Sequence, residues 1–190
     1  DNTSVAMVTE VDGKIHAKVF AFIPHDKKEI KSQRENVNYQ GMINSGVCFE
    51  CGDEVIDYCF VESFILSLTG RYGVNIVQVG YDRYNAISTV QKLESEGLEC
   101  VEIKQHSSVL HSPTKLLKEC VLSKRFEYDP NKLLEINFQN ARCTEDTNLN
   151  KYVNKKKSNG KVDMVVSLIN AIYLLEQQML WGGEDFTVQY

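Results

Sequence analysis

Two aspartates far apart in the chain each stand where a fold can direct a carboxylate toward a metal ion. Asp82 follows the apolar run from Ile76 to Tyr81, which predicts a buried strand. Asp163 lies near the start of a long apolar helical pattern, in the stretch that begins at Lys161. Carboxylates at a strand end and at a helix start can meet in space and share a divalent cation. The pair therefore indicates metal-dependent chemistry on phosphates.

Both positions also have a purely structural explanation. The helix dipole favours an aspartate in the first helical turn, which accounts for Asp163 without chemistry. Asp82 suits a turn or a helix N-cap equally well. Ser167 and Asn170 follow Asp163 on the polar stripe of the same predicted helix. Position alone leaves both interpretations open.

Length and composition predict one globular domain. The chain has 190 residues, of which 43% are hydrophobic and 25% charged, as is ordinary for soluble proteins. No apolar run approaches the roughly 20 residues that cross a bilayer, and no signal peptide is recognisable. We therefore expect a single domain over residues 1–190, with a tail at 180–190 and no membrane association. The opening residues lead directly into a strand pattern, which predicts a start inside a domain.

Charge and motifs narrow the class. The net charge is −5, from 21 basic and 26 acidic residues, whereas proteins that coat nucleic acid are usually basic. The balance argues against tight non-specific binding but not against a nuclease, because DNA contacts can be local. The phosphate-cradling motif G-x-x-x-x-G-K-[ST] does not occur, so we expect no ATP hydrolysis by this chain.

The six cysteines indicate reduced thiols in a cytosol, because most lie within apolar patterns and not in a disulfide framework. Cys48 and Cys51 form a C-x-x-C pair. A zinc site needs four ligands, and no second pair follows at a suitable spacing. Two half-buried thiols beside a turn are the preferred interpretation.

Turn signals and periodicity divide the chain into elements. Asp12-Gly13 predicts a hairpin between strands at 4–11 and 15–23, followed by a solvated connection at 25–45. A helix at 54–72, a strand at 74–81, a helix at 83–96 packed through Tyr84, and a strand at 98–103 follow. The last three form a βαβ unit with parallel strands.

The remaining elements are mainly helical. They comprise a helix entered at Ser112-Pro113-Thr114, a short helix at 131–139, a mobile polar loop at 144–160, and a last helix at 162–178, with Gly182-Gly183 ending the fold. A hairpin followed by βαβ units and a terminal helix is the order of RNase H-like folds. The predicted fold class is therefore α/β, with a mixed sheet flanked by helices.

Several stretches in order carry a family resemblance. They are Gly52-Asp53-Glu54-Val55-Ile56-Asp57-Tyr58, Val79-Gly80-Tyr81-Asp82-Arg83-Tyr84-Asn85-Ala86, Gln105, Leu110-His111-Ser112-Pro113-Thr114-Lys115, Phe138-Gln139-Asn140-Ala141, and 155–163 with its helix. Through them the chain resembles the C-terminal nuclease domain of the large terminase subunit of tailed bacteriophages and prophages.

This resemblance implies an endonuclease that cleaves concatemeric viral double-stranded DNA during genome packaging, using two Mg²⁺ or Mn²⁺ ions. Asp82 and Asp163 would be its catalytic metal ligands. The implied partners are a terminase ATPase domain, the small terminase subunit and the portal protein, in the cytoplasm of the infected bacterial host. The family's first acidic residue lies on a strand upstream of Asp1, so we expect that strand outside this chain. We assign its role to neither Asp1 nor Asp12, and helix-start placement explains Asp57.

Lysines crowd before Asp163, and we expect Lys155, Lys156, Lys157 and Lys161 to contact the DNA backbone. A solvated loop is the alternative for these lysines. Two further functions remain open for the whole chain. One is a non-catalytic module that docks on DNA or the portal; the other is a different RNase H-like nuclease, such as a resolvase or transposase.

Overall fold

Two long antiparallel strands form the centre of the molecule, for which the computed structural model describes residues 2–83 and 86–181. The strands are β1 (Thr3–Val11), β2 (Lys14–Ile23), β3 (Cys48–Glu50), β4 (Val79–Tyr81), β5 (Cys100–Glu102), β6 (Phe126–Tyr128), β7 (Cys143–Glu145) and β8 (Lys151–Val153). The helices are α1 (Lys28–Glu35), α2 (Tyr39–Asn44), α3 (Tyr58–Tyr72), α4 (Ile87–Ser95), α5 (Ser107–Leu122), α6 (Lys132–Asn140) and α7 (Asp163–Trp181). The expected packing of Tyr84 and the stop at 182–183 lie outside the described residues.

The predicted hairpin is confirmed. Asp12 and Gly13 both have positive φ, 51° and 76°, as a tight hairpin turn requires, and β1 pairs with β2 along its full length. β3 and β6 both pair in parallel with the other edge of β2, one near each end. The mixed character of the sheet is therefore confirmed.

Helices cover both faces of β2, which explains why its second half is wholly buried. Side chains of successive strand residues point to opposite faces. Val19 and Ala21 pack into one hydrophobic cluster with residues of α5, α6 and α7, whereas Phe20 and Phe22 pack with residues of α3 and α4. The core thus has a helix–sheet–helix arrangement.

The predicted βαβ unit is also confirmed: β4 and β5 are parallel and joined through α4. Its strands are shorter than predicted, because only three residues of each form ladder hydrogen bonds. Within the described residues, β4 and β5 form a separate two-stranded sheet, and β1 has β2 as its only ladder partner.

Two segments expected to be irregular are ordered. The stretch 25–45 contains a short 3₁₀ turn, α1 and α2, and the stretch 144–160 contains β8 and the end of β7 in a hairpin. Neither carries a clear apolar stripe that would reveal it. Asp146 holds the hairpin turn by accepting hydrogen bonds from the backbone N–H groups of Asn148 and Asn150 at 2.8 and 3.0 Å.

Three predicted helix starts are wrong, among them that of α4, which begins at Ile87 and not at 83. α3 begins at Tyr58, where Asp57 caps it by accepting from the Cys59 N–H at 3.0 Å. α5 begins at Ser107 and contains Pro113 in its buried interior, since packing of its apolar face outweighs the lost backbone bond. None of the helices in the described residues combines the length and apolar character needed to cross a bilayer.

Candidate metal and nucleic-acid site

The direction of β4 against α7 determines where Asp82 lies. Gln78 is within hydrogen-bond distance of Gln178, at 3.4 Å, and Gly80 lies against Leu174. From Gln78 to Gly80 the strand advances by two residues, whereas the contacted helix residue moves back from Gln178 to Leu174. The segment of β4 therefore runs antiparallel to α7. Asp82 therefore lies toward the first half of that helix.

Glycine at position 80 allows close contact with α7. A Cβ added there would lie 2.5 Å from Ile103 Cδ1 and 2.9 Å from Leu174 Cδ1, closer than carbon atoms can approach. The glycine lets the strand backbone sit directly on the helix. The sequence feature that ends at Asp82 is thus built for close strand–helix packing.

Three side-chain hydrogen bonds fix the start of α7. Ser4 Oγ donates to the Asp163 carbonyl at 2.8 Å, and Ser167 Oγ donates to the Ser4 carbonyl at 3.1 Å. The buried Asn137 accepts from the Met164 N–H at 3.2 Å, which satisfies one of the donors that a helix start leaves free. The strand and the helix are therefore held in register at the position of the carboxylate.

The two oxygens of the Asp163 carboxylate have different surroundings. Oδ1 lies 3.7 Å from Lys155 Nζ, whereas Oδ2 is buried and has no hydrogen-bond partner. An acceptor left in this state costs about 1–3 kcal/mol. A hard cation, which prefers oxygen ligands, would satisfy it.

Asp82 and Asp163 line one groove of about 1160 Å³. The free edge of β1 and the stretch 74–82 form its two sides, and residues of α7, α3 and α4 close it from both faces. The structure thus places the two predicted carboxylates on a common cavity. Asn170, seven residues after Asp163 and so about 10 Å further along the helix, also lines it and accepts from Gln105 at 3.2 Å.

The oxygen atoms of side chains in this groove are suitable ligands for a hard divalent ion, but few of them are carboxylate oxygens. Among residues 2–83 and 86–181, no group of three or more His, Cys, Asp or Glu side chains is placed to hold a metal.

Cys48 and Cys51 are fully buried free thiols, more enclosed than predicted. Burial raises the pKa of Cys48 to about 12, so this thiol stays protonated at neutral pH.

The lysine-rich segment is ordered through its backbone. Asn154 Oδ1 accepts from the N–H groups of Lys156 and Lys157 at 3.0 and 3.2 Å, and Asn140 donates to the Lys161 carbonyl at 3.1 Å. The side chains of Lys155, Lys156 and Lys157 are exposed. Lys155 and Lys161 line the groove itself. Positive charge therefore stands at the same end as Asp163.

A buried polar network that the sequence did not reveal lies beside this end. Tyr39 donates to Glu35 Oε2 at 2.6 Å and lies 3.3 Å from Asn2 Nδ2, while Lys31 Nζ is 3.5 Å from Glu35 Oε1. Burial, reinforced by Glu35, raises the pKa of Tyr39 far above its ordinary value, so the phenol keeps its proton. Lys31, Glu35 and Tyr39 stand four positions apart, but they lie in a stretch predicted as a solvated connection, and Asn2 meets them only through the fold.

Glu35 remains ionised despite its surroundings. Burial alone would raise the pKa of its carboxyl group. Hydrogen bonds from Tyr39 and Arg34, together with the charge of Lys31, outweigh burial and leave the pKa below its ordinary value. The network therefore contains a fixed negative charge.

A mixed sheet between helix layers, with aspartates at a strand end and at the start of a terminal helix, is typical of RNase H-like folds. The family described as terminase large subunit, endonuclease domain, matches residues 1–178, and the chain belongs to it. Its fold is RNase H-like, as predicted. The alternative of a resolvase or a transposase is thereby set aside.

Particular relatives are phage proteins. The large terminase subunit of Enterobacteria phage HK97 is 21% identical over 190 residues, which cover 98% of this chain and 37% of that protein. The crystal structure of the HK97 bacteriophage large terminase matches with a TM-score of 0.79 at 18% identity, covering 92% of this chain and 40% of that one. This likeness supports the fold. The chain thus spans well under half the length of these relatives.

Proposed function

We propose that this chain is the metal-dependent endonuclease that cleaves concatemeric viral double-stranded DNA during genome packaging, with Asp82 and Asp163 as catalytic metal ligands. The observation that carries the proposal is the groove that both residues line, together with the buried carboxylate oxygen of Asp163 that has no hydrogen-bond partner. Ser4 and Asn137 hold the helix start that presents this oxygen.

When bound, two Mg²⁺ or Mn²⁺ ions would supply water activation and stabilisation of negative charge on the phosphate. Asp82 and Asp163 would hold these ions, since hard cations prefer oxygen ligands. Lys155 and Lys161 are placed to attract the DNA backbone to the same end of the groove. Lys156 and Lys157 would extend that contact outward.

A third carboxylate would complete the ligand set, and the groove has a place for it. In the described residues, β1 pairs only with β2 and β4 only with β5, so each has a free edge on the groove. We propose that a strand from sequence ahead of residue 1 pairs there and carries the remaining acidic ligand. That strand would complete the sheet and the site together.

The wider assignments follow from the family. Double-stranded DNA is the proposed substrate, and a terminase ATPase domain, the small subunit and the portal are the proposed partners. The proposed place of action is the cytoplasm of the infected bacterial host. Residues 1–190 would serve as a single nuclease domain within that assembly.

Plasmid nicking tests the proposal. Asp82→Asn and Asp163→Asn, each in the full-length protein, should lower the rate of Mn²⁺-dependent nicking of supercoiled DNA at least about 100-fold, because each removes a charged metal ligand. Asp53→Asn, at an exposed loop position, is the matched control and should cut normally. Wild-type cutting by either groove variant would refute the assignment.

A non-catalytic docking module is the second candidate, favoured by the absence of a three-ligand group among the described residues. It predicts that the full-length protein binds DNA without Mn²⁺-dependent nicking. The same plasmid assay separates the two functions.

A further inference from the structure

We propose that Asn2 is an additional oxygen ligand of this cation site, and that Tyr39 and Glu35 are positioning residues that orient its amide. The proposal rests on the proposed function, because it extends the same site. It assigns a task to a buried polar network that the nuclease chemistry otherwise leaves unused.

The hydrogen bonds of the network run in one direction. An ionised carboxylate only accepts, so the Tyr39 hydroxyl directs its proton to Glu35 Oε2, at 2.6 Å. The Tyr39 oxygen is then the acceptor for Asn2 Nδ2, at 3.3 Å. This sequence fixes which end of the Asn2 amide faces Tyr39 and turns the carbonyl oxygen the other way.

The Asn2 carbonyl oxygen ends in the groove region without a partner. Asn2 lines the same groove as Asp163, and its Oδ1 is buried and accepts no hydrogen bond from the described residues. Ser4, two residues further on, is bonded to the Asp163 carbonyl. Asn2 lies about 7 Å beyond Ser4 along the chain, and Lys161, two residues before α7, is near enough to act electrostatically on Lys31 and Glu35.

Two residues that line the groove thus carry buried acceptors without donors: Asn2 Oδ1 and Asp163 Oδ2. Neither can satisfy the other, since both are acceptors. A divalent cation with its bound water supplies what both lack, and a neutral amide oxygen is an ordinary ligand for such ions. The unsatisfied pair is the specific reason to place Asn2 at the metal.

The deep burial of the residues behind Asn2 supports a positioning role for Tyr39 and Glu35. Lys31 is only 4% exposed and Tyr39 only 1%, and charged side chains are seldom buried so deeply unless paired. The charge of Lys31 is balanced by Glu35, which in turn fixes Tyr39. A merely structural network would also anchor the start of β1, so the test must measure metal binding apart from stability.

Mn²⁺ affinity of the full-length protein without DNA, measured by electron paramagnetic resonance of the free ion, provides that test. Asn2→Leu should weaken binding about 100-fold and Tyr39→Phe about tenfold, the range found when ligands or their supporting groups are removed. Asn2→Asp keeps an oxygen ligand but loses the donor to Tyr39, so it should bind Mn²⁺ more tightly than Asn2→Leu. Tyr72→Phe, on an exposed tyrosine of α3 outside the groove lining, is the matched control.

Thermal unfolding of the same variants separates anchoring from coordination. If Asn2→Leu and Tyr39→Phe lower Tm but bind Mn²⁺ like the wild type, while Asp163→Asn binds weakly, the role of Asn2 is overturned and the proposed function stands. If Asp163→Asn also binds normally, both fail. Asn2→Asp that binds Mn²⁺ no more tightly than Asn2→Leu would contradict a ligand role. Should Asn2→Leu not fold, wild-type Mn²⁺ affinity in the near-isosteric Tyr39→Phe would contradict the positioning of Asn2.

Discussion

Lys155 Nζ lies 3.7 Å from Asp163 Oδ1, with the lysine side chain 53% exposed and the aspartate 23%. The ammonium group thus stands at the carboxylate that we assign to the metal. A cation that binds Asp163 must share it with this lysine or displace it. The lysine is then free to contact a phosphate.

Lys155→Gln should therefore tighten Mn²⁺ binding in the absence of DNA by about two- to fivefold, the worth of a largely exposed ion pair. Calorimetric titration measures the effect. Lys132→Gln removes an exposed pair with Glu135 on α6 and should leave the Mn²⁺ affinity unchanged. Equal affinities for Lys155→Gln and the wild type would show that the ammonium does not compete.

Neutralising Lys155, Lys156 and Lys157 together should flatten the salt dependence of DNA binding. Each lost phosphate contact lowers the slope of log K against log salt by about 0.9, so the triple variant should lose about two to three units of slope. Fluorescence anisotropy over a range of salt concentrations gives the slope. A variant with Lys115, Lys118 and Lys132 neutralised removes the same charge from α5 and α6, and it should keep the wild-type slope.

Gly80→Ala should destabilise the fold by about 1–3 kcal/mol, because the added carbon overlaps Ile103 and Leu174. Gly70→Ala is the matched control, since nothing lies near its added carbon and alanine favours its helix by about 1 kcal/mol. Urea unfolding compares the two variants. A neutral Gly80→Ala would mean that β4 does not rest tightly on α7.

Glu35→Gln should remove part of the acid sensitivity of the fold. The pKa of Glu35 is lowered in the folded state, so its contribution to stability is complete above its ordinary pKa of 4.5. That contribution disappears as the pH falls below this value toward the folded-state pKa. The free energy of unfolding of the wild type should thus drop more steeply than that of Glu35→Gln below pH 4.5. Parallel curves from urea titrations would contradict this linkage.

Local signals predicted the elements that local chemistry determines. The Asp12-Gly13 turn and the β4–α4–β5 unit follow from turn residues and periodicity, and both are confirmed. α1 has one exposed aliphatic residue, Ile30, and buries a lysine, so periodicity could not reveal it.

The residues of the candidate site also differ in whether local sequence signals could predict them. Asp82 and Asp163 were identifiable because each stands at an element boundary with a family motif around it, and their shared use of a metal remains a prediction. The network that ends at Asn2 was not identifiable. Asn2 and Tyr39 are 37 positions apart and meet only because the chain folds. Long-range contacts between isolated polar residues leave no periodic trace.

β1 has nine residues and, within the described part of the chain, makes a backbone ladder with β2 alone. A row of open amides and carbonyls pairs with any extended peptide in reach. Since the free edge of β1 is recessed between helices, it accommodates one added strand more readily than an open-ended series of strands from many molecules. Concentrated solutions of residues 1–190 alone should accordingly exchange strands into discrete dimers, and extending the expressed polypeptide ahead of residue 1 should suppress them.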